Sequence, residues 1–215
     1  MLTFYYGSGS PFAWRVWLAL ECKGIDYSIK TLNFGAGDLK TPEYLRINPR
    51  GKVPAIVDDG FALYESAAIL EYLDERYADQ GPSLFPGDAR QRALVRRLNN
   101  EADHYLDGAS RKLLTAVLFT RRENWDEHAI SVGRDALAGE LERFEGLLHG
   151  PHFAGELSAA DFTIYPMLAL ACRMDVRKPD LAIRSLIGPR LQDWMNRIEA
   201  LPYFQKTYPP HWKTA

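Results

Sequence analysis

The residue types that could do chemistry sit in two short stretches. The first is Gly7-Ser8-Gly9-Ser10-Pro11, where two hydroxyls follow a β-rich run at residues 2–6 and precede an apolar run with helical spacing at residues 12–22. Proline suits the first position of a helix, where its missing N–H would have no partner anyway, so Pro11 makes Ser10 the N-cap. The second stretch runs from Lys52-Val53-Pro54 to Glu65-Ser66. Two apolar runs inside it flank Asp58-Asp59-Gly60, whose tolerance of positive φ predicts a tight hairpin. Ile69, Leu70 and Leu73 then open a helix, which puts Glu65 and Ser66 in its first turn. Unpaired N–H groups and the helix dipole favour an anion there. A cis bond before Pro54 would turn the Val53 backbone outward. An outward backbone beside an anion-holding helix end is a site for a small peptide.

The elements that must position these residues read as two domains. A strand at 2–6, a helix at 12–22 and a strand at 26–32 form a βαβ unit, whose strands are expected to be parallel. A polar loop, a short helix at 42–47, the hairpin and the helix from Glu65 complete a β-α-β, α, β-β-α order. Residues 1–78 are therefore an α/β domain. Residues 79–87, centred on Gln80-Gly-Pro-Ser-Leu-Phe-Pro-Gly87, are a linker. Residues 88–215 carry no strand signal; helical periodicity appears over 90–120, 125–148, 162–172 and 191–201, which makes this an all-α bundle. Ser158-Ala-Ala-Asp161 fits a capping box, with Asp in place of the usual Glu.

Composition narrows the function classes. The chain has 215 residues, 47% hydrophobic and 25% charged, with a net charge of −2, so no global field recruits nucleic acid or membrane. Two distant cysteines, Cys22 and Cys172, form no metal or dithiol motif. There is no secretory leader pattern and no apolar run of about 18 residues. The expected location is cytoplasmic.

Val53-Pro54 ahead of a hairpin, then Glu65-Ser66 opening a helix, resembles the glutathione-binding half of the cytosolic glutathione transferases. The helical second half and the Gly155-Glu-Leu-Ser158-Ala-Ala-Asp161-Phe162 stretch are similar to that family too, so the likeness spans nearly the whole chain. The resemblance implies a thioredoxin-like N-terminal domain, a helical bundle, and glutathione as co-substrate. It implies that Glu65 meets the γ-glutamyl ammonium, Ser66 its carboxylate, and Val53 with Pro54 the cysteinyl backbone. Lys40 and Lys52 would surround the glycine carboxylate.

Conjugation needs a thiolate, and a free thiol has a pKa of about 8.5. A hydroxyl hydrogen bond and a helix end both lower it. The family's catalytic residue stands where Ser10 stands, which implies a serine-type enzyme; Ser8 is the rival hydroxyl, and Tyr5 and Tyr6 are weaker ones. Ser10-Pro11-Phe12 looks like the tau class and Trp14-Arg15-Val16 like the zeta class. An electrophile pocket is expected between the domains, with Phe12, Trp14, His104, Tyr105, Gly108, Arg111, Tyr208 and Trp212 as candidate lining. No metal is expected. The family implies a homodimer acting on a small electrophile, with neither nucleic acid nor membrane as partner. Two alternatives remain. One is a glutathione-dependent isomerase, such as maleylacetoacetate isomerase, or an ether-cleaving enzyme. The other is a non-catalytic binding or scaffold protein of this fold.

Overall fold

A computed structural model describes residues 1–213. Chain contacts divide it into two units, Met1–Asp88 together with the chain from Leu201, and Ala89–Ala200. The sequence reading keeps the final segment with the helices; in the structure it packs with the first unit.

The first unit holds strands β1 (Leu2–Tyr6), β2 (Tyr27–Thr31), β3 (Ala55–Asp58) and β4 (Phe61–Tyr64), and helices α1 (Pro11–Lys23), α2 (Pro42–Ile47) and α3 (Ser66–Arg76). The sheet order is β2-β1-β3-β4. β1 and β2 are parallel, as the βαβ pattern requires, and β3 is antiparallel to both β1 and β4. Sheet side chains alternate between faces. Leu2, Phe4 and Tyr6 are buried on one face, where Phe4 and Tyr6 meet Trp17 of α1. Tyr5 points to the other, into a cluster with Tyr44 of α2 and Ala55. Both faces of β1 are covered, so its apolar run is nearly continuous.

α1 is delimited as its sequence dictates. The Ser10 hydroxyl caps it by accepting from the Ala13 N–H at 3.3 Å, and Gly24 ends it in the left-handed region. The linker is fastened to this unit. Lys23 and Asp74, both buried, face each other at 3.6 Å. The Lys23 ammonium also donates to the Pro82 carbonyl, while the Asp74 carboxylate accepts from the Leu84 N–H and the Ser83 hydroxyl. Gly81 lies so close to the Lys23 backbone that a Cβ would fall 2.6 Å from it.

The second unit contains α4 (Ala89–Glu101), α5 (Asp107–Leu118), α6 (Glu127–Leu147), α7 (Ala159–Arg177) and α8 (Pro189–Glu199). The single helix expected over 90–120 is interrupted. Residues Ala102–Leu106 form a π-helical turn, in which the Asp107 N–H reaches back five residues to the Ala102 carbonyl. Single π turns inside α-helices are marked only by that backbone shift, not by composition. The capping box at the start of α7 is fully formed. Asp161 is completely buried and accepts from the Ser158 N–H at 3.0 Å, the Phe153 N–H at 3.2 Å and the Trp194 indole N–H at 2.8 Å. One carboxylate thus joins the helix start, the preceding loop and α8. The segment from Leu201 adds α9 (Phe204–Thr207) and a 3₁₀ turn at Pro210–Trp212.

Replacing Asp161 with Ala strips three buried N–H donors of their acceptor. Each buried donor left without one costs about 1–3 kcal/mol, so Asp161→Ala is expected to destabilise the protein by at least ~3 kcal/mol. Urea unfolding measures this, and a midpoint equal to wild type would refute the role of Asp161 as an organising acceptor.

Candidate functional site

Strand register gathers the candidate residues at one end of the sheet. Tyr5 of β1 pairs with Ala55 of β3, and Ala55 pairs with Tyr64 of β4. β1 therefore runs out into Gly7–Ser10 where β3 begins after Val53-Pro54 and where β4 ends before Glu65-Ser66. The Gly7 backbone closes the arrangement. A Cβ there would lie 2.8 Å from Val53 Cγ2 and 2.6 Å from Phe34 Cζ. Only glycine lets the first loop touch the second.

Ser10 is half-buried, and its N–H donates to the Gly7 carbonyl at 3.1 Å. A serine hydroxyl has one proton and two lone pairs. Capping Ala13 uses a lone pair, so the proton remains available to donate to an anion at the start of α1, where the helix dipole adds to it. Tyr6, at the end of β1, is less suited. Burial raises its phenol pKa, an effect that the Ser8 hydroxyl and the Gly9 amide partly offset. Arg15 is buried, with its guanidinium 5.0 Å from the centre of the Phe12 ring.

The Val53–Pro54 bond is cis. The carbonyl just before it, that of Lys52, is clamped by the Tyr44 hydroxyl at 2.5 Å and the Asn48 amide at 2.6 Å. Burial pushes the Tyr44 phenol up to about 12, which keeps it a donor at any working pH. The Lys52 side chain is exposed, as is that of Lys40, which ends a 3₁₀ turn at Asp38–Lys40.

Glu65 stands out in its backbone. It has φ 70 and ψ 105, a sparsely populated combination for a residue with a Cβ. Its side chain is exposed, while Ser66, the first residue of α3, is 6% exposed. No sequence signal marks this φ, since Glu is not a residue that favours positive values.

The co-substrate candidates divide. Trp14 requires a correction: it is 1% exposed, its indole N–H donates to the Thr207 hydroxyl at 3.0 Å, and its ring meets Phe204, Tyr208 and Trp212 edge-on or tilted. It is packing, not a pocket wall. Trp212 is likewise buried in this cluster. Phe12 and Tyr208 are half-buried in the same unit. His104, Tyr105, Gly108 and Arg111 belong to the second unit. His104 Nδ1 lies 2.8 Å from the Asn100 carbonyl, and with Tyr105, Arg96 and Arg97 it lines an open groove of about 710 Å³. Arg111 pairs with Asp107 one turn earlier, at 2.6 Å.

Neither thiol belongs to the site. Burial raises the Cys22 pKa and pushes that of Cys172 up to about 11, so both are poor nucleophiles near neutrality. Among the described residues no helix is long and apolar enough to cross a membrane.

A four-stranded mixed sheet with helices on both faces, followed by a helical unit, defines a two-domain glutathione transferase fold, and known proteins agree. The chain matches the family model "Glutathione S-transferase, N-terminal domain" over residues 9–76 and "Glutathione S-transferase, C-terminal domain" over residues 88–197. It is 32% identical to glutathione S-transferase 3 of Zea mays, covering 92% of this chain and 89% of that one. Identity to maleylacetoacetate isomerase of Mus musculus is also 32%, over 93% and 88%. A theta class glutathione S-transferase from Xanthomonas axonopodis pv. citri, solved with glutathione bound, superposes with a TM-score of 0.81 at 25% identity, covering 96% of each chain. The protein belongs to the glutathione S-transferase family and is a glutathione S-transferase enzyme; the co-substrate of the family is glutathione.

The strained backbone at Glu65 yields a direct test. Glu65→Gly and Glu65→Ala both delete the side chain, but only glycine accepts φ 70 without cost. The glycine variant is expected to be the more stable by about 1 kcal/mol in urea unfolding, and both are expected to lose affinity for glutathione. An alanine variant at least as stable as the glycine one would rule out the strained conformation.

Proposed function

We propose that this enzyme is a serine-type glutathione transferase in which Ser10 stabilises the glutathione thiolate. The thiolate then attacks a small hydrophobic electrophile held mainly by the helical unit. The observation that carries this reading is the shared sheet end, where the register brings the Ser10 loop, the Val53-Pro54 turn and the start of α3 together. In this scheme the cysteinyl backbone of glutathione pairs with Val53. Its γ-glutamyl end lies on Glu65 and Ser66, and its glycine carboxylate is met by Lys52 and Lys40 as point charges. The sulfur then lies at the start of α1, where the Ser10 O–H donates to it. A hydrogen bond to a charged partner is worth about 1.5–3 kcal/mol, which corresponds to roughly tenfold to a hundredfold in thiolate population. The homodimer is part of this reading on family likeness alone.

Thiolate absorbance of bound glutathione, titrated against pH, tests the assignment. In wild type the bound thiol is expected to ionise at lower pH than free glutathione. In Ser10→Ala the ionisation moves back up, because the thiolate has lost its donor, and the rising limb of the pH–rate profile moves up with it. At neutral pH the rate falls by roughly tenfold to a hundredfold. An unshifted titration in Ser10→Ala would transfer the role to another group.

A second reading has a specific observation behind it. The 32% identity to a maleylacetoacetate isomerase, with Trp14-Arg15-Val16 in α1, favours glutathione-dependent isomerisation of a cis-enol substrate. Product analysis separates the two, since conjugation consumes one glutathione per turnover and isomerisation returns it. Consumption at one equivalent, with no isomer formed, is the outcome expected for the transferase.

A further inference from the structure

The loop that carries Ser10 is held by a residue from the far end of the chain. Ser8 Oγ lies 2.7 Å from His211 Nδ1, across 203 positions of sequence. The same imidazole lies against Gly9, where a Cβ would fall 2.9 Å from His211 Cε1, 3.2 Å from Nε2 and 3.5 Å from Trp212 Nε1. Gly9 also has φ 84, so glycine is needed there both for its backbone and for the room the ring takes. The loop is thus gripped at both glycines, Gly7 by Phe34 and Val53, and Gly9 by His211 and Trp212.

The grip has its own anchorage. Trp212 is buried edge-on against Trp14 and Tyr208. Thr207 holds the Trp14 indole, and the Lys206 ammonium pairs with Glu21 of α1 at 2.6 Å. The chain from Phe204 to Lys213 is a strap docked on α1, and it delivers the otherwise exposed His211 ring to the loop. Ser8 and His211 both fall outside the matched family segments, 9–76 and 88–197.

We infer that His211 is a positioning residue, which acts through Ser8 and Gly9 to fix the direction in which the Ser10 hydroxyl donates to the glutathione sulfur. The inference rests on the serine-type reading above. A loop of this kind, with glycine at two of four positions, is soft, and a misplacement of about 1 Å at a reacting group costs up to about a hundredfold in rate. His211 touches no substrate in this scheme; it removes the freedom of the group that does.

Steady-state kinetics with glutathione and an aryl halide electrophile, together with the bound-thiol titration, test it on wild type, His211→Ala, His211→Asn, Ser8→Ala and the His211→Ala/Ser8→Ala double variant. Asn carries an amide oxygen and an NH₂ near the place of Nδ1, so it restores a hydrogen-bond partner for Ser8 in either direction. kcat is expected to fall about tenfold in each alanine variant, with KM for glutathione within about twofold, because Val53, Glu65 and Ser66 are untouched. His211→Asn is expected to recover most of the loss. The double variant should be no worse than either single one, since both break the same link. Wild-type kcat in His211→Ala overturns the inference, and so does a loss in KM alone that His211→Asn does not repair. If His211→Ala fails to fold, Ser8→Ala decides, and unchanged kcat there overturns it. A wild type that does not lower the thiol pKa overturns the Ser10 reading, and this inference with it. A wild type that does, with His211→Ala unchanged, overturns this inference alone.

Discussion

The candidate site depends on one constraint, the antiparallel register that sets Tyr5 opposite Ala55 and Ala55 opposite Tyr64. A slip of one residue in β3 would exchange its faces. Ala55 would leave the Tyr5–Tyr44 cluster, and Val53 would leave Gly7. The hairpin turn guards against that slip. Asp59 and Gly60 both take positive φ, 48 and 88, the requirement for a two-residue turn whose twist matches its strands. Tyr44 guards it again from outside the sheet, through the hydrogen bond from its hydroxyl to the Lys52 carbonyl. The sheet thereby fixes where the Gly7–Ser10 loop, the Val53-Pro54 turn and the start of α3 meet.

Given that frame, the division of chemical labour follows from what the chain lacks. Neither of its own thiols is activated, because burial raises both. In the proposed reaction the nucleophile is the thiol of the co-substrate, and the protein's part is to favour its ionised form. A neutral hydroxyl at a helix start does this without the desolvation cost of a buried cation. Its capping of Ala13 contributes about 1 kcal/mol to the helix, while a hydrogen bond to a thiolate is worth more. In the scheme proposed above, the same oxygen serves folding in the empty enzyme and chemistry in the loaded one. Glu65 shows the opposite balance. Its φ costs stability, and the burial of Ile69, Leu70 and Leu73 behind it is large enough to hold it.

Much of this was legible in the sequence, for local reasons. Period-two and period-3.6 patterns, Asp58-Asp59-Gly60, Ser10-Pro11 and Ser158 with Asp161 each encode an element through the chemistry of neighbouring residues. What was not legible is long-range or confined to the backbone. A tryptophan in an apolar run reads alike whether it lines a cleft or fills a core; only the arrival of Thr207, Tyr208 and Trp212 determines that Trp14 fills a core. The π turn at Ala102–Leu106 and the φ of Glu65 have no compositional mark. The partner of Ser8 lies near the end of the chain, and nothing in either short stretch points to the other.

The strap from Phe204 onward also answers a packing problem that α1 creates. Every residue from Ala13 to Leu20 is buried, Arg15 included, so this helix is enclosed all round rather than along one stripe, and it must be covered on every side. The sheet covers one side through Trp17, and α3 packs beside it. The βαβ and ββα pattern supplies no further element for the side that Trp14 presents. Phe204, Tyr208 and Trp212 supply it, and the Trp14 indole N–H, which would otherwise be buried without an acceptor, finds one in Thr207. Because α1 begins at Ser10, whatever completes the packing of α1 also reaches the loop before it. Once the strap is required for the core, His211, exposed beside the buried Trp212, stands over Gly9 and within hydrogen-bond distance of Ser8. Coverage of one helix and control of its N-terminal loop are therefore consequences of the same contact.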